Sequence, residues 1–170
     1  MQLRELFDEF PFKADVIPIT VQKLLNEPLD VLEDWARAES LLVAARNILP
    51  DRPEPLVALY KLLAYSNRFE EALAVINDAL ELTAQKGGFS AQWQSLDIAN
   101  PPWTCIDDNV RCFLYSLKAT GFVYIRQGRV TEAHEILGKV LKLDPFDLVG
   151  ASVLFDITSR LTDDDYEFVA

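Results

Sequence analysis

At 170 residues the chain is long enough for one domain with a substantial core. Half of its residues are apolar and a quarter are charged, the balance of an ordinary globular protein. A formal net charge of -11 and a pI near 4.5 argue against nucleic acid, which needs clustered Lys and Arg to displace counterions, and against an anionic membrane surface.

The opening residues, MQLRELFDEF, alternate charged and apolar side chains. No basic start is followed by an apolar core, so no signal peptide is expected, and no stretch approaches the roughly 20 apolar residues that span a bilayer. Residues 1–18 carry Phe7, Phe10, Phe12 and Val16 but break at Pro11 and Pro18. They predict a short helix and then an extended segment, whose aromatics cover the open end of a stack.

Residues 19–49 read as a helical pair. Pro28 weakens the first helix, because proline in a helix interior costs about 3 kcal/mol. The second is strong: Trp35, Ala38, Leu41, Leu42, Ala45 and Leu49 recur at three and four, one face of a helix, before Pro50 and Pro53 end it. Residues 53–83 form a clearer pair. Leu56, Leu59, Tyr60 and Leu63 make one stripe, Ser66-Asn67-Arg68 the turn, and Phe69, Ala72, Leu73, Ile76, Ala79 and Leu80 the next stripe. Lys86-Gly87-Gly88 is a glycine stop.

These two pairs share a period. Ala38 and Ala72, Leu42 and Ile76, and Ala45 and Ala79 are each 34 residues apart. Small residues fall on small and large aliphatics on large, which predicts stacked helical units.

Residues 85–106 interrupt the period with Phe89, Trp93, Trp103 and the pair Pro101-Pro102. The segment is long for a routine connection, and its aromatics argue for order. From Asp107 a long helix is predicted, with Asp107, Asp108 or Asn109 as its cap. Val110, Leu114, Leu117, Gly121 and Tyr124 share its face. Gly128 marks a turn, and Val130, Ala133, Leu137, Val140 and Leu141 form a partner helix ended by Asp144-Pro145. Residues 148–161, from Leu148 to Leu161, are predicted as a final amphipathic capping helix, followed by a solvated Asp163-Asp164-Asp165 tail.

The third pair resembles a tetratricopeptide repeat. The bulky, Gly and Tyr spots of that pattern fall on Leu117, Gly121 and Tyr124; its turn glycine, small residue, aromatic and final proline fall on Gly128, Ala133, Leu137 and Pro145. The second pair follows loosely, with Tyr60 in place of the glycine and Ala84 in place of the proline. The first matches only in its second helix, at Trp35, Ala38, Leu42, Ala45 and Pro50. From Ala72 to Ala133 is 61 residues, one period of 34 plus 27, which the inserted loop and an extended helix start account for. The resemblance covers roughly residues 20–160. It implies an all-α array of three pairs, the first degenerate, within a single domain over 1–170.

The resemblance also implies that the first helix of each pair lines a concave groove. That assigns Lys23, Val57, Lys61 and Tyr65, then Tyr115, Lys118, Phe122 and Arg126, as groove residues. Four cations there would form a positive patch suited to an acidic or C-terminal carboxylate peptide, although surface helices carry Lys and Arg in any case. The family's carboxylate clamp of Lys and Asn is not assigned, because Glu27 stands one turn after Lys23. Trp93 and Trp103 either pack on neighbouring helices or recognise a partner.

Other chemistry is weakly supported. His134, the only histidine, has no Ser or Cys near it in sequence, and Cys105 and Cys112 match no zinc spacing. Reduced thiols are the simplest reading, with a disulfide as the alternative. Asp156 to Glu167 fails as a calcium loop because Arg160 and Leu161 stand where a ligand and a glycine belong. Members of the family that the chain resembles are mostly binding scaffolds, so the resemblance implies a non-catalytic function: a cytoplasmic protein- or peptide-binding adaptor, chaperone-like, without cofactor or metal. The alternative is a self-assembling structural subunit, a homo-oligomer without a separate ligand.

Overall fold

Local signals place the helices of this computed structural model, which describes residues 1–8, 17–99, 103 and 107–167. Every regular element among them is helical: α1 (Leu3–Asp8), α2 (Ile19–Leu25), α3 (Trp35–Ile48), α4 (Glu54–Tyr65), α5 (Phe69–Gly87), α6 (Asp108–Arg126), α7 (Val130–Leu143) and α8 (Ser152–Glu167), with one 3-10 turn at Trp93–Ser95. An isolated antiparallel bridge joins Gln2 and Asp30. Phe10, Phe12, Val16, Pro101, Pro102 and Cys105 lie outside the described residues. The chain divides into two compact units, Met1–Ala79 and Leu80–Ala170.

In the first unit α2 stops at Leu25, clear of Pro28. The Asp34 carboxylate accepts the Arg37 N–H at 3.0 Å and starts α3. Ala38, Leu42 and Ala45 of α3 and Ala72, Ile76 and Ala79 of α5 are all buried, so the residues that share the 34-residue period share an environment. Two bonds between side chains tie α3 to α5 and the turn before it: Arg68 of the turn to Glu39, and Arg46 to Asp78 of α5 at 2.6 Å. Helix α4 is buried on every face from Glu54 to Ala64. The reason is that α3 and α1 both pack on it, with Leu3 and Leu6 of α1 buried.

The turn after α4 needs a left-handed residue, and Asn67 supplies it at φ 62°. The Arg68 N–H then reaches back to the Leu63 carbonyl at 2.9 Å, closing the helix with a reverse bond. The turn after α6 repeats this chemistry. Gly128 takes φ 76°, and the Arg129 N–H reaches the Tyr124 carbonyl at 2.8 Å. Arg68 pairs with Glu71, and Arg129 with Glu132. Hydrogen bonds from these guanidinium groups hold both glutamates below the usual carboxylate range. Arg68, Glu71 and Ala72 precede Arg129, Glu132 and Ala133 by the same 61 residues.

In the second unit Asp107, the first of the three candidate caps, starts α6 by accepting the Asn109 N–H at 2.7 Å. Val110, Leu114, Leu117 and Gly121 of α6 are buried, as are Ala133, Leu137 and Val140 of α7. The two helices cross closely at Gly121, where a β-carbon would lie 2.6 Å from Leu137 Cγ. Phe89 of the inserted segment folds onto α6. Its ring meets Phe113 edge-on at 4.8 Å and Trp103 at 5.0 Å. Trp103 is buried and donates its indole N–H to the Asp97 carbonyl at 3.0 Å.

The last helix differs from its expected span. It begins at Ser152 rather than Leu148, and it runs past Leu161 to Glu167, taking in the aspartates expected as a tail. Asp147 at φ 51° and Gly150 at φ 67° are both left-handed, which forbids a helix through them. The Asp147 carboxylate instead accepts the N–H groups of Ala151 at 2.6 Å and Ser152 at 3.2 Å, and the Ser152 hydroxyl at 2.6 Å. Partial burial works against the charge on Asp147. The Ser152 and Ala151 bonds and the nearby Lys118 charge outweigh it and keep the carboxyl below its ordinary range. A carboxyl depressed in the folded state stabilises at neutral pH, and that contribution is lost as the pH falls through its folded value. Asp147→Ala is therefore expected to cost about 1 kcal/mol at neutral pH. The gap between thermal melts of the variant and the parent chain should narrow as the solution is acidified, leaving the pH-independent strain of alanine at a left-handed backbone.

Candidate functional site

The eight residues assigned to a groove fall in both units, four in each. In the first unit Lys23 is exposed at the end of α2 and Tyr65 is exposed at the end of α4. Val57 and Lys61 are a correction: both are buried, because α4 is covered by α1 as well as α3. They line no open surface. In the second unit Tyr115, Lys118, Phe122 and Arg126 do follow one another along α6, with Lys118 5.2 Å from the Tyr115 ring centre and Arg126 5.9 Å from that of Phe122. Lys118 is committed elsewhere: its ammonium donates to the Val149 carbonyl at 2.8 Å and fastens the connection between α7 and α8. Of the four cations read as a patch, Lys23 and Arg126 remain exposed, one in each unit.

A different hollow is built wholly within the second unit. Its volume is about 510 Å³, and its walls are the 3-10 turn, α7 and α8. Trp93 and Gln94 line it from the 3-10 turn, His134, Lys139 and Lys142 from α7, and Phe155 from α8. A second hollow of about 290 Å³ shares Lys139 and Lys142 and continues along Leu96 and Ile98. Lys139, Lys142 and His134 recur at three to five on α7, which turns them to one side of that helix.

The walls are held in place by specific bonds. Lys139 donates to the Gln94 carbonyl at 3.3 Å and so ties the inserted segment to α7. The His134 ring stacks on Phe155 at 4.5 Å and an interplanar angle of 21°. Its Nδ1 lies 2.9 Å from the Thr158 hydroxyl oxygen, while that hydroxyl donates to the Phe155 carbonyl at 2.7 Å. The pair locks α7 to α8, and Thr158 is itself buried.

The hollow carries charges of both signs. Lys142 is exposed and makes no ion pair among the described residues. Glu135 on the rim and Asp97 by the second hollow supply opposing charge. Cys112 is a free thiol buried in α6. Among the described residues no three His, Cys, Asp or Glu side chains gather as a cation site, and no helix is long and apolar enough to cross a membrane. Trp93 was legible in the sequence as a recognition candidate. Lys139 and Lys142 carry no such signal, because the expected groove draws only on the first helix of each pair and they stand on α7, a second helix.

Comparison with known proteins adds one relative. The chain is 29% identical over 159 residues to the uncharacterized 19.8 kDa protein in the nifW 5′ region of Azotobacter chroococcum mcd 1, a match covering 91% of this chain and 83% of that protein. No family model matches the chain, and no solved structure matches it.

Proposed function

We propose that this protein is a non-catalytic binding scaffold of tetratricopeptide type, working in the cytoplasm as an adaptor or chaperone-like holder of an acidic peptide or protein segment. The repeat reading is supported by the twin turns at Asn67 and Gly128 and by the buried alanines at matching positions. The peptide site in this reading is the hollow of Trp93, Phe155, Lys139 and Lys142. One observation carries it: within a chain of net charge -11, two lysines and two aromatic walls converge on one open hollow of a size that fits a few side chains. Aromatic faces bind apolar side chains, and the ammonium groups bind carboxylates.

The test is an array of short peptides that combine Asp or Glu with Leu or Phe, probed with the full chain. Retained peptides should be acidic and should bind less well as salt rises, since screening acts within about 8 Å at physiological ionic strength. Lys139→Glu with Lys142→Glu should weaken the best of them about tenfold or more, and Trp93→Ala should weaken them independently of salt. If no acidic peptide is retained, or if the lysine variant binds as the parent does, the proposed site is wrong.

A further inference from the structure

Helix α8 presents two different sides. Phe155 and Thr158 turn toward α7, while Val153, Ile157 and Leu161 recur every four residues on another side and stay exposed among the described residues. Together with Phe146 and Leu148 in the connection before it, these side chains are between 40% and 84% exposed. An isolated exposed leucine needs no explanation, but five large apolar residues within sixteen positions form a surface of the kind that marks an interaction.

The polar residues beside the stripe suit a second copy of the chain. Asp156 and Arg160 are both exposed, one helical turn apart on the same flank of the stripe. Consider a second α8 running antiparallel across a two-fold axis that passes close to Ile157. Such an axis lies between the helices and brings like flanks together. Asp156 of each copy then comes opposite Arg160 of the other, while the apolar stripes face each other. An arrangement satisfied by its own copy is self-complementary. A heterologous partner would need to supply an acidic and a basic group in the reverse order.

We propose that the Val153–Ile157–Leu161 face of α8 is a homodimer interface in which two copies pack antiparallel and exchange Asp156–Arg160 ion pairs. The interface is separate from the hollow, because Phe155 lies on the opposite side of the helix. The net charge of -11 on each copy opposes association. Two exposed ion pairs offset little of that repulsion, so apolar contact supplies the attraction. Dimerisation is accordingly expected to strengthen as salt screens the repulsion.

Sedimentation velocity of the full chain over a wide concentration range, at low and high salt, tests this. A monomer–dimer equilibrium that shifts toward dimer with salt is expected. Ile157→Lys should weaken it about tenfold or more, with an unchanged circular dichroism spectrum, since the position is exposed. Asp156→Arg alone sets arginine against arginine at contact distance, a local repulsion that outweighs the smaller net charge, and should also weaken it. Asp156→Arg combined with Arg160→Asp should restore it, because the exchanged pairs are again complementary. A chain that stays monomeric throughout overturns the proposal. So does a dimer that Ile157→Lys leaves intact, or a double swap that associates no better than Asp156→Arg alone.

Discussion

Phe113→Ala is expected to destabilise the second unit by about 3–5 kcal/mol, the ordinary loss for removing a buried aromatic ring. Phe113 is fully buried on α6, and its ring receives Phe89 edge-on and lies 6.2 Å from Trp103. The three rings hold the inserted segment down, so the loss reaches beyond α6. Without Phe113 the Phe89 and Trp103 rings lose their platform, and the segment from Gly88 to Ala99 should become open to proteases. Chemical denaturation followed by tryptophan fluorescence measures the first effect, and limited proteolysis the second. A stable Phe113→Ala chain that resists cutting after Gly88 would show that the segment is held by other contacts.

The second large effect is expected at the crossing of α6 and α7. A β-carbon on Gly121 would lie 2.6 Å from Leu137 Cγ and 2.7 Å from its Cδ2. Leu137 is fully buried, so its side chain cannot swing into solvent to make room. Gly121→Ala should therefore overpack the crossing by about 1–3 kcal/mol, and Ala133→Leu by a similar amount. A control separates packing from backbone strain. Gly128 is also a glycine, but its demand is a left-handed backbone rather than space. Asn67 meets the same demand at the corresponding turn, so Gly128→Asn should cost only a few tenths of a kcal/mol. Denaturation midpoints in the order parent, Gly128→Asn, Gly121→Ala are the expected result. Equal midpoints for Gly121→Ala and the parent would remove the close crossing.

Much of the helical architecture was readable along the chain because its causes are local. The turn at Ser66-Asn67-Arg68, the glycine stops at Gly88 and Gly128, and the start of α6 at Asp107 follow from which residues tolerate a left-handed backbone or cap free N–H groups. The alanines at 38, 45, 72, 79 and 133 were legible as buried because a helix repeats its inner face every three to four residues. The start of α8 was misplaced for a related reason. Periodicity alone extends through Leu148, whereas the left-handed Asp147 and Gly150 and the Asp147 carboxylate delay the helix to Ser152.

The sequence by itself determined where most of the helices lie and much of which face of each is apolar. Only the tertiary structure decided which remaining faces meet solvent. Lys61 reads as a surface cation, yet α1 and α3 enclose its helix on both sides. Lys118 reads as another, yet a carbonyl from the connection 31 residues later takes its ammonium. The hollow joins Trp93 to Lys139, Lys142 and Phe155, residues that no local pattern links. The physical reason is that helix formation is governed by hydrogen bonds and caps within a few residues. Exposure is governed by what packs alongside, and that partner comes from a distant part of the chain.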